Sequence, residues 1–297
     1  MLFTTLTAPE KRSALKNRLA SGVLLRMPGA HAPIVARMIE EQGFDGIYVS
    51  GAAIAADLAL PDIGLTALDE VVRRGHQIAR TTDLPALIDI DTGFGEPMNV
   101  ARAITELEVA GLAGCHIEDQ VMPKRCGHLD RKSLIDTDAM AQKISAAVGA
   151  RRDDNFIVMA RTDAVESEGL EAAIDRAKAY VEAGADAIFP EALHSVEEFS
   201  RFRDAIGVPL LANMTEFGKT PLLSATDLEA LGYNIAIYPL TAMRLAMQAV
   251  EDGLAVLKRD GTQAGLVARM QTRARLYEIL RYAEYGAFDE TIYNFKI

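Results

Sequence analysis

The stretch FIVMARTDAVESEGLEAAIDRAKAYVEAGADAIFPE, residues 156–191, contains one complete structural repeat. It opens on a short apolar run, FIVMAR (156–161), with the β-branched Ile157 and Val158, as a buried strand requires. In 168–183 the residues Leu170, Ala173, Ile174, Ala177, Tyr180 and Val181 recur at i, i+3 and i+4, which predicts a helix buried along one stripe. Gly184 stops that helix, and a second apolar run, AIFPE (187–191), follows. Strand, helix and strand at this spacing make a crossover unit of parallel sheet.

The same unit recurs along the chain. Further strands are predicted at 22–28 (GVLLRMP), 46–50 (GIYVS), 86–91 (ALIDID), 114–118 (GCHIE), 209–213 (PLLAN) and 234–240 (NIAIYPL). With the two above, that makes eight, and eight repeats predict an α/β fold of the closed (β/α)8, TIM-type kind. An open doubly wound sheet is the alternative. It calls for a glycine-rich phosphate turn after an early strand and an acidic residue about 20 positions on, and the sequence offers neither. Residues 1–261 are assigned to the barrel. Residues 262–297, helical near 265–283, are assigned to a C-terminal helical arm that docks on the barrel wall or on a neighbouring subunit.

Composition sets the class. Of 297 residues, 31 are Lys or Arg and 42 Asp or Glu, a net charge of −11 that argues against nucleic acid as a partner. No run of about 18 apolar residues points to a membrane span. The N-terminus, MLFTTLTAPEKRSALKNRLA, lacks the apolar core of a secretion signal. Two cysteines, Cys115 and Cys126, are too few for a disulfide framework, and a cytoplasmic protein with reduced thiols is expected.

Polar residues gather at the strand ends: Ser50–Gly51, Asp89 and Asp91, Glu118–Asp119, Arg161 and Asp163, Glu191, Asn213–Met214–Thr215, then Thr241 with Arg244. In a parallel barrel these ends share one rim, where active sites of this architecture lie. Asp89 and Asp91, two positions apart on one predicted strand, point the same way and would repel without a cation between them. Hard oxygen ligands suit Mg²⁺, with Mn²⁺ as the alternative, and Glu118 could complete the site. An exposed pair closing the strand is the bland reading.

The segment QVMPKRCGHLDRK (120–132) is too polar and too rich in Pro and Gly for a helix. Lys124, Arg125 and His128 surround Cys126, and nearby cations lower a thiol's pKa from about 8.5. Such a cysteine can be a nucleophile or an acid–base group. The bland reading is a surface loop with an incidental cysteine. Cys115 alternates within an apolar strand and reads as core. The other histidines, His31, His76, His116 and His194, carry no zinc-site spacing, and neither GxSxG nor a P-loop is present.

These residues carry a resemblance. The segments KRCGH (124–128), IDIDTGFG (88–95), HIEDQ (116–120), MARTDA (159–164), FPEA (189–192), NMTEFGKTP (213–221), YPL (238–240) and MQTRARLYE (270–278) resemble the 2-methylisocitrate lyases of the isocitrate lyase/phosphoenolpyruvate mutase superfamily. The resemblance runs almost the full chain, and the short length leaves no room for the large insertions of isocitrate lyases. It implies a Mg²⁺ site at Asp89 and Asp91, supported by Glu118 and Asp62. It implies substrate contacts from Ser50, Gly51, Ala52, Cys126, Gly127, Arg161, Glu191, Asn213, Met214, Thr215, Arg244 and Arg273. The family commonly has a further glycine where this chain has Ala52.

The implied reaction cleaves 2-methylisocitrate, a small tricarboxylate, to pyruvate and succinate in propionate breakdown through the methylcitrate cycle. Cys126 would be the general acid. Lys124, His128 and Arg161 would offset developing charge, and Tyr48 is a candidate base. Phe189 and Leu240 are candidate walls for the substrate methyl, and segment 120–132 is expected to close over substrate. The resemblance also implies a homotetramer with exchanged C-terminal helices. Isocitrate lyase, 2,3-dimethylmalate lyase and a non-enzymatic dicarboxylate-binding protein are the alternatives.

Overall fold

A computed structural model describes residues 4–125, Gly127 and 132–293. Eight strands form: β1 (Leu25–Pro28), β2 (Ile47–Val49), β3 (Ala86–Asp89), β4 (Gly114–Glu118), β5 (Ile157–Thr162), β6 (Ala187–Pro190), β7 (Leu211–Asn213) and β8 (Ile235–Tyr238). All ladders are parallel, in the orders β2-β3-β4-β5-β6 and β1-β8-β7. Two isolated parallel bridges, Gly29 with Tyr48 and Ile188 with Leu210, join the two sheets into a ring. The fold is therefore the predicted α/β barrel type, with two seams each held by a single bridge.

Every predicted strand is found, but most are shorter than the apolar run that announced them. The clearest difference is at β3. It ends at Asp89, and Asp91 lies beyond it in the left-handed region at φ 48°. Asp89 and Asp91 therefore do not share one pleated strand. The turn between them is closed by Asp91 N donating to Asp89 Oδ1 at 3.0 Å.

The intervening helices are α1 (Ala8–Ala20), α2 (Pro33–Glu41), α3 (Gly51–Asp57), α4 (Leu68–Ala79), α5 (Pro97–Val109), α6 (Thr137–Ala150), α7 (Ala164–Glu168), α8 (Leu170–Glu182), α9 (Val196–Ala205) and α10 (Ala225–Ala230). The opening repeat behaves as its pattern predicts: Ala173, Ile174, Ala177 and Tyr180 of α8 are buried. Gly184, at φ 105°, ends it. Its N–H reaches the Val181 carbonyl at 3.0 Å, and Ala185 N reaches the Tyr180 carbonyl at 3.0 Å. This two-bond closure satisfies the last carbonyls of the helix.

Strand alternation divides the core in two. Outward residues such as Ile88, Ile117, Val158 and Ile188 pack under the helices. Inward residues Leu25, Met27, Leu87, Ile157, Leu211 and Ile235 fill the ring. No helix is predicted over 8–20 from the sequence, yet α1 closes the bottom of the barrel. Leu15 and Leu19 join the inner core, and Lys11 and Arg12 donate to carbonyls at the ends of neighbouring helices.

Inward positions turn polar toward the strand C-termini: Leu87 gives way to Asp89, Met159 to Arg161, and Leu211 to Asn213. One end of the ring is thus a hydrophobic plug and the other a polar cup.

After β8 comes α11 (Thr241–Asp260), which buries only Met243 and exposes Leu245, Val250, Leu254 and Leu257. Gly261, left-handed at φ 65°, ends it. The predicted helical run beyond is broken into a 3-10 turn at Ala264–Arg269, α12 (Arg273–Ile279) and α13 (Tyr282–Tyr293). Ile279 is buried and its carbonyl accepts from Arg37 Nε of α2 at 2.5 Å, while Arg275 pairs with Glu41. Among the described residues no helix is long and apolar enough to cross a membrane.

Candidate active site

The polar cup holds a cavity of about 50 Å³ lined by Tyr48, Ser50 and Ala52 after β2, Asp62, Asp89, Lys124 and Gly127, and by Arg161, Glu191, Asn213, Thr215, Pro239 and Leu240. That is room for one or two waters. Helix α3 begins directly at this wall. Ser50 accepts from Ala53 N to cap it, and Gly51 N donates to Asp89 Oδ2 at 3.3 Å. A Cβ at position 51 would lie 2.9 Å from that oxygen, so the carboxylate's close approach explains the glycine.

Two buried cations organise the carboxylates. Lys124 is 3% exposed; its Nζ pairs with Asp62 and lies 2.8 Å from Asp91 Oδ1. Burial alone would lower the ammonium's pKa, but Glu118, Asp91, Asp89 and Asp62 together raise it, so Lys124 is a fixed positive charge. Arg161 donates from Nε to Asp163 Oδ2 at 3.0 Å and from Nη2 to Oδ1 at 3.2 Å. It also lies 3.3 Å from Glu118 Oε2 and 3.2 Å from Glu191 Oε2.

The acidic groups respond unequally. Asp89 is buried, which would raise its carboxyl, but His116, Lys124 and Arg161 outweigh this and hold it below the usual range. Asp91 is pushed up to about 6 by burial and by the neighbouring Asp89 charge, against Lys124. Glu118 is raised well above its ordinary value, chiefly by burial.

The acidic groups have the character of a divalent-cation site. Glu118 is fully buried, and neither of its carboxylate oxygens has a hydrogen-bond partner among the described residues; Asp91 Oδ1 likewise lacks an aligned donor. Buried acceptors without donors, in an excess of carboxylates, are what a hard cation satisfies. Among the described residues no three acidic or imidazole groups converge to ligate one ion by themselves. Mg²⁺ suits this arrangement, since it commonly takes one or two carboxylates and completes its shell with water. Asp89 and Asp91 would hold it directly and Glu118 through water.

His116, uninformative in the sequence, lies within the site. It is 1% exposed on the inner face of β4, and its Nε2 lies 2.7 Å from the Tyr48 hydroxyl. Its Nδ1 is 3.7 Å from Asp89 Oδ1, and its ring stacks on Tyr48 and meets the Phe189 ring edge-on. Burial lowers the imidazole to about 4, so it is neutral at pH 7 and the Asp89 contact is not a salt bridge. The available signal was the spacing His116–Glu118, which puts both on one strand face. Tyr48 is buried, and burial with the Asp89 charge pushes its phenol well above 10. At neutral pH it is a protonated hydroxyl, not a resident phenolate base.

Other expected residues are placed elsewhere. Met214 turns into the outer core, where its sulfur lies 3.3 Å from Leu223 N. Phe189 lies beneath Arg161, its centroid 5.0 Å from the guanidinium, and does not line the cavity, whereas Leu240 does. Arg244 lies outside the cavity, over the Phe217 ring at 5.0 Å and 3.6 Å from Glu216. Arg273 is exposed at the start of α12. Cys126 and His128 lie outside the described residues.

The phosphoenolpyruvate phosphomutase family model matches residues 15–258. The chain belongs to the phosphoenolpyruvate mutase/isocitrate lyase superfamily. It is 59% identical over 99% of its length to a probable 2-methylisocitrate lyase 2 of Corynebacterium glutamicum, covering 96% of that protein. It is 48% identical over 91% of its length to the 2-methylisocitrate lyase of Bacillus subtilis, covering 89% of it.

Among solved structures of the superfamily, a 2,3-dimethylmalate lyase superposes with a TM-score of 0.89 at 35% identity, covering 97% of this chain and 96% of that one. A phosphonopyruvate hydrolase in complex with oxalate and Mg²⁺ superposes at 0.87 and 33% identity, covering 98% of this chain and 100% of that one. The resemblance carried by the motifs is thus a family relationship.

Proposed function

We propose that this protein is a Mg²⁺-dependent carbon–carbon lyase that cleaves 2-methylisocitrate to pyruvate and succinate. The observation that carries the reading is the meeting of orphaned buried carboxylate oxygens with two fixed cations, Lys124 and Arg161, at one barrel mouth. The identity to proteins named 2-methylisocitrate lyase supports the choice of substrate.

When bound, Mg²⁺ would polarise the substrate's α-hydroxycarboxylate and favour loss of the hydroxyl proton. Arg161, held by three carboxylates, presents a rigid planar donor set to a substrate carboxylate. Lys124 adds positive charge where the succinate half accumulates electrons. As the C2–C3 bond breaks, its electron pair passes to the succinate half as an enediolate. Cys126, next to Gly127, protonates that carbon as general acid. The neutral Tyr48–His116 pair lies at the cavity wall, where it can hold the hydroxyl proton in transit. Segment 120–132 would close the mouth and exclude water.

We further propose a cytoplasmic homotetramer acting in propionate breakdown through the methylcitrate cycle, with the arm 262–297 exchanged between copies. The apolar residues exposed along α11 and the arm support this, and an exchanged arm would bring Arg273 to a neighbour's rim. Light scattering should give four times the 32.2 kDa chain mass. The functional test is product identification by NMR after incubation with 2-methylisocitrate, with Mg²⁺ and with EDTA. Pyruvate and succinate in equal amounts, formed only with metal, are expected. Turnover of 2,3-dimethylmalate alone would shift the assignment to that activity, which the structural similarity to 2,3-dimethylmalate lyase makes the second reading.

A further inference from the structure

We propose that Lys132 is a positioning residue that clamps Gly127 and Arg161 into one rigid unit at the mouth of the site. The proposal rests on the lyase reading above for its kinetic consequences, and on geometry alone for its structural ones.

The Lys132 side chain is 1% exposed. Its ammonium donates to the Gly127 carbonyl at 2.5 Å and to Asp163 Oδ1 at 3.1 Å, and lies 3.7 Å from Glu166 Oε2. Asp163 is fully buried, and its two oxygens are the ones that take the bidentate bonds from Arg161. Asp163 is itself anchored: its backbone N–H donates to Asp119 Oδ1 at 2.9 Å, and Asp119 also accepts from Thr162 and Tyr180. One ammonium therefore holds both Gly127, which lies against Arg161, and the carboxylate that orients Arg161. Gly127 fits against the face of this unit, since a Cβ there would come within 2.5 Å of Glu191 Cγ.

A buried ammonium is a poor way to gain stability, because its desolvation offsets much of its attraction. An apolar side chain of similar length would fill the same space. When the charge is removed, Asp163 keeps both bonds to Arg161 and Glu166 keeps its pairing with Lys219. What is lost is the link from Asp163 to Gly127, and with it the fixed placement of Gly127 against Arg161 and Glu191 in the site. Misplacement by about 1 Å costs on the order of 100-fold in rate.

The test compares wild type with Lys132→Met and Lys132→Gln, the latter keeping a donor for the Gly127 carbonyl without the charge. The expected result is a kcat about 100-fold lower in the Met variant, with KM within about threefold of wild type. The Gln variant should fall between the two, and it carries the same test if the Met variant does not fold. Trypsin cleavage after the exposed Arg125, followed by mass spectrometry without substrate, should accelerate at least about tenfold in the Met variant as the segment is released. An unchanged kcat with unchanged cleavage overturns the clamp. So does an equal fall of kcat in both variants that tracks their loss of Tm, which marks a structural role. If wild type itself forms no pyruvate, the lyase reading fails, and the cleavage rates still decide the clamp.

Discussion

Gly127→Ala puts the smallest side chain into the tightest contact of the site. The added methyl would come to 2.5 Å from Glu191 Cγ and nearer still to Arg161 Nη2. Carbon atoms rest at about 3.5–4.0 Å, so the segment and the site must part by about 1 Å. Neither neighbour yields easily: Glu191 is 1% exposed, and Arg161 is held by Glu118, Asp163 and Glu191. A shift of that size at reacting groups costs about 100-fold, or ~2.7 kcal/mol of transition-state stabilisation. Overpacking costs ~1–3 kcal/mol of stability, a Tm loss of roughly 2–12 °C. Steady-state kinetics on 2-methylisocitrate with a thermal melt checks both. A kcat/KM within threefold of wild type and an unchanged melt would show that Gly127 does not rest on Arg161, and would refute the reasoning.

Other perturbations reach different parts of the account. Leu15→Ala empties a fully buried position in the barrel plug and should cost about 2–5 kcal/mol in urea unfolding, while kcat of the folded enzyme stays near wild type. Tyr48→Phe removes the 2.7 Å hydroxyl contact with His116 and should lower kcat with little change in Mg²⁺ affinity by calorimetry. Asp45 is partly buried, which raises its carboxyl, but the Arg26 N–H and Arg18 hold it below the ordinary value overall. Its stabilising contribution is present above the unfolded value of about 4 and is lost as pH falls through the lower folded value. Asp45→Asn should therefore flatten the acid limb of a stability-against-pH curve measured by denaturant melts.

The sequence exposed some of this structure and concealed the rest, for identifiable reasons. The strands were legible because a ring covered by helices needs short apolar runs at regular spacing, and 156–191 shows that period in full. Their C-terminal ends were overrun because inward positions stay buried after pairing stops. Asp91 continues the pattern IDID while its backbone has already left the strand. Helix α1 escaped because it buries little apolar surface, and its plug role depends on the barrel bottom that receives Leu15 and Leu19. Asp89, Glu118 and Arg161 stood out in the sequence because charge at a strand end is conspicuous. His116 was missed because a histidine inside an apolar run resembles a core residue until Tyr48 is placed opposite it. Met214 turns away from the cavity because alternation points it into the outer core while Asn213 and Thr215 face inward. Arg244 and Arg273 lie on α11 and α12, which bury only Met243 and Ile279 among the described residues and leave Leu245, Leu254 and Tyr277 exposed.

The most direct test of the central claim is the ratio of kcat/KM for pyruvate release from 2-methylisocitrate to that for glyoxylate release from isocitrate, measured with Mg²⁺, with EDTA, and for Cys126→Ser. A single methyl is worth about 10- to 200-fold, so a ratio in that range is predicted, with turnover abolished by EDTA and by the substitution. Pyruvate release that persists in EDTA, or that survives in Cys126→Ser, would contradict the account of metal and acid, and a ratio below one would contradict the assigned substrate.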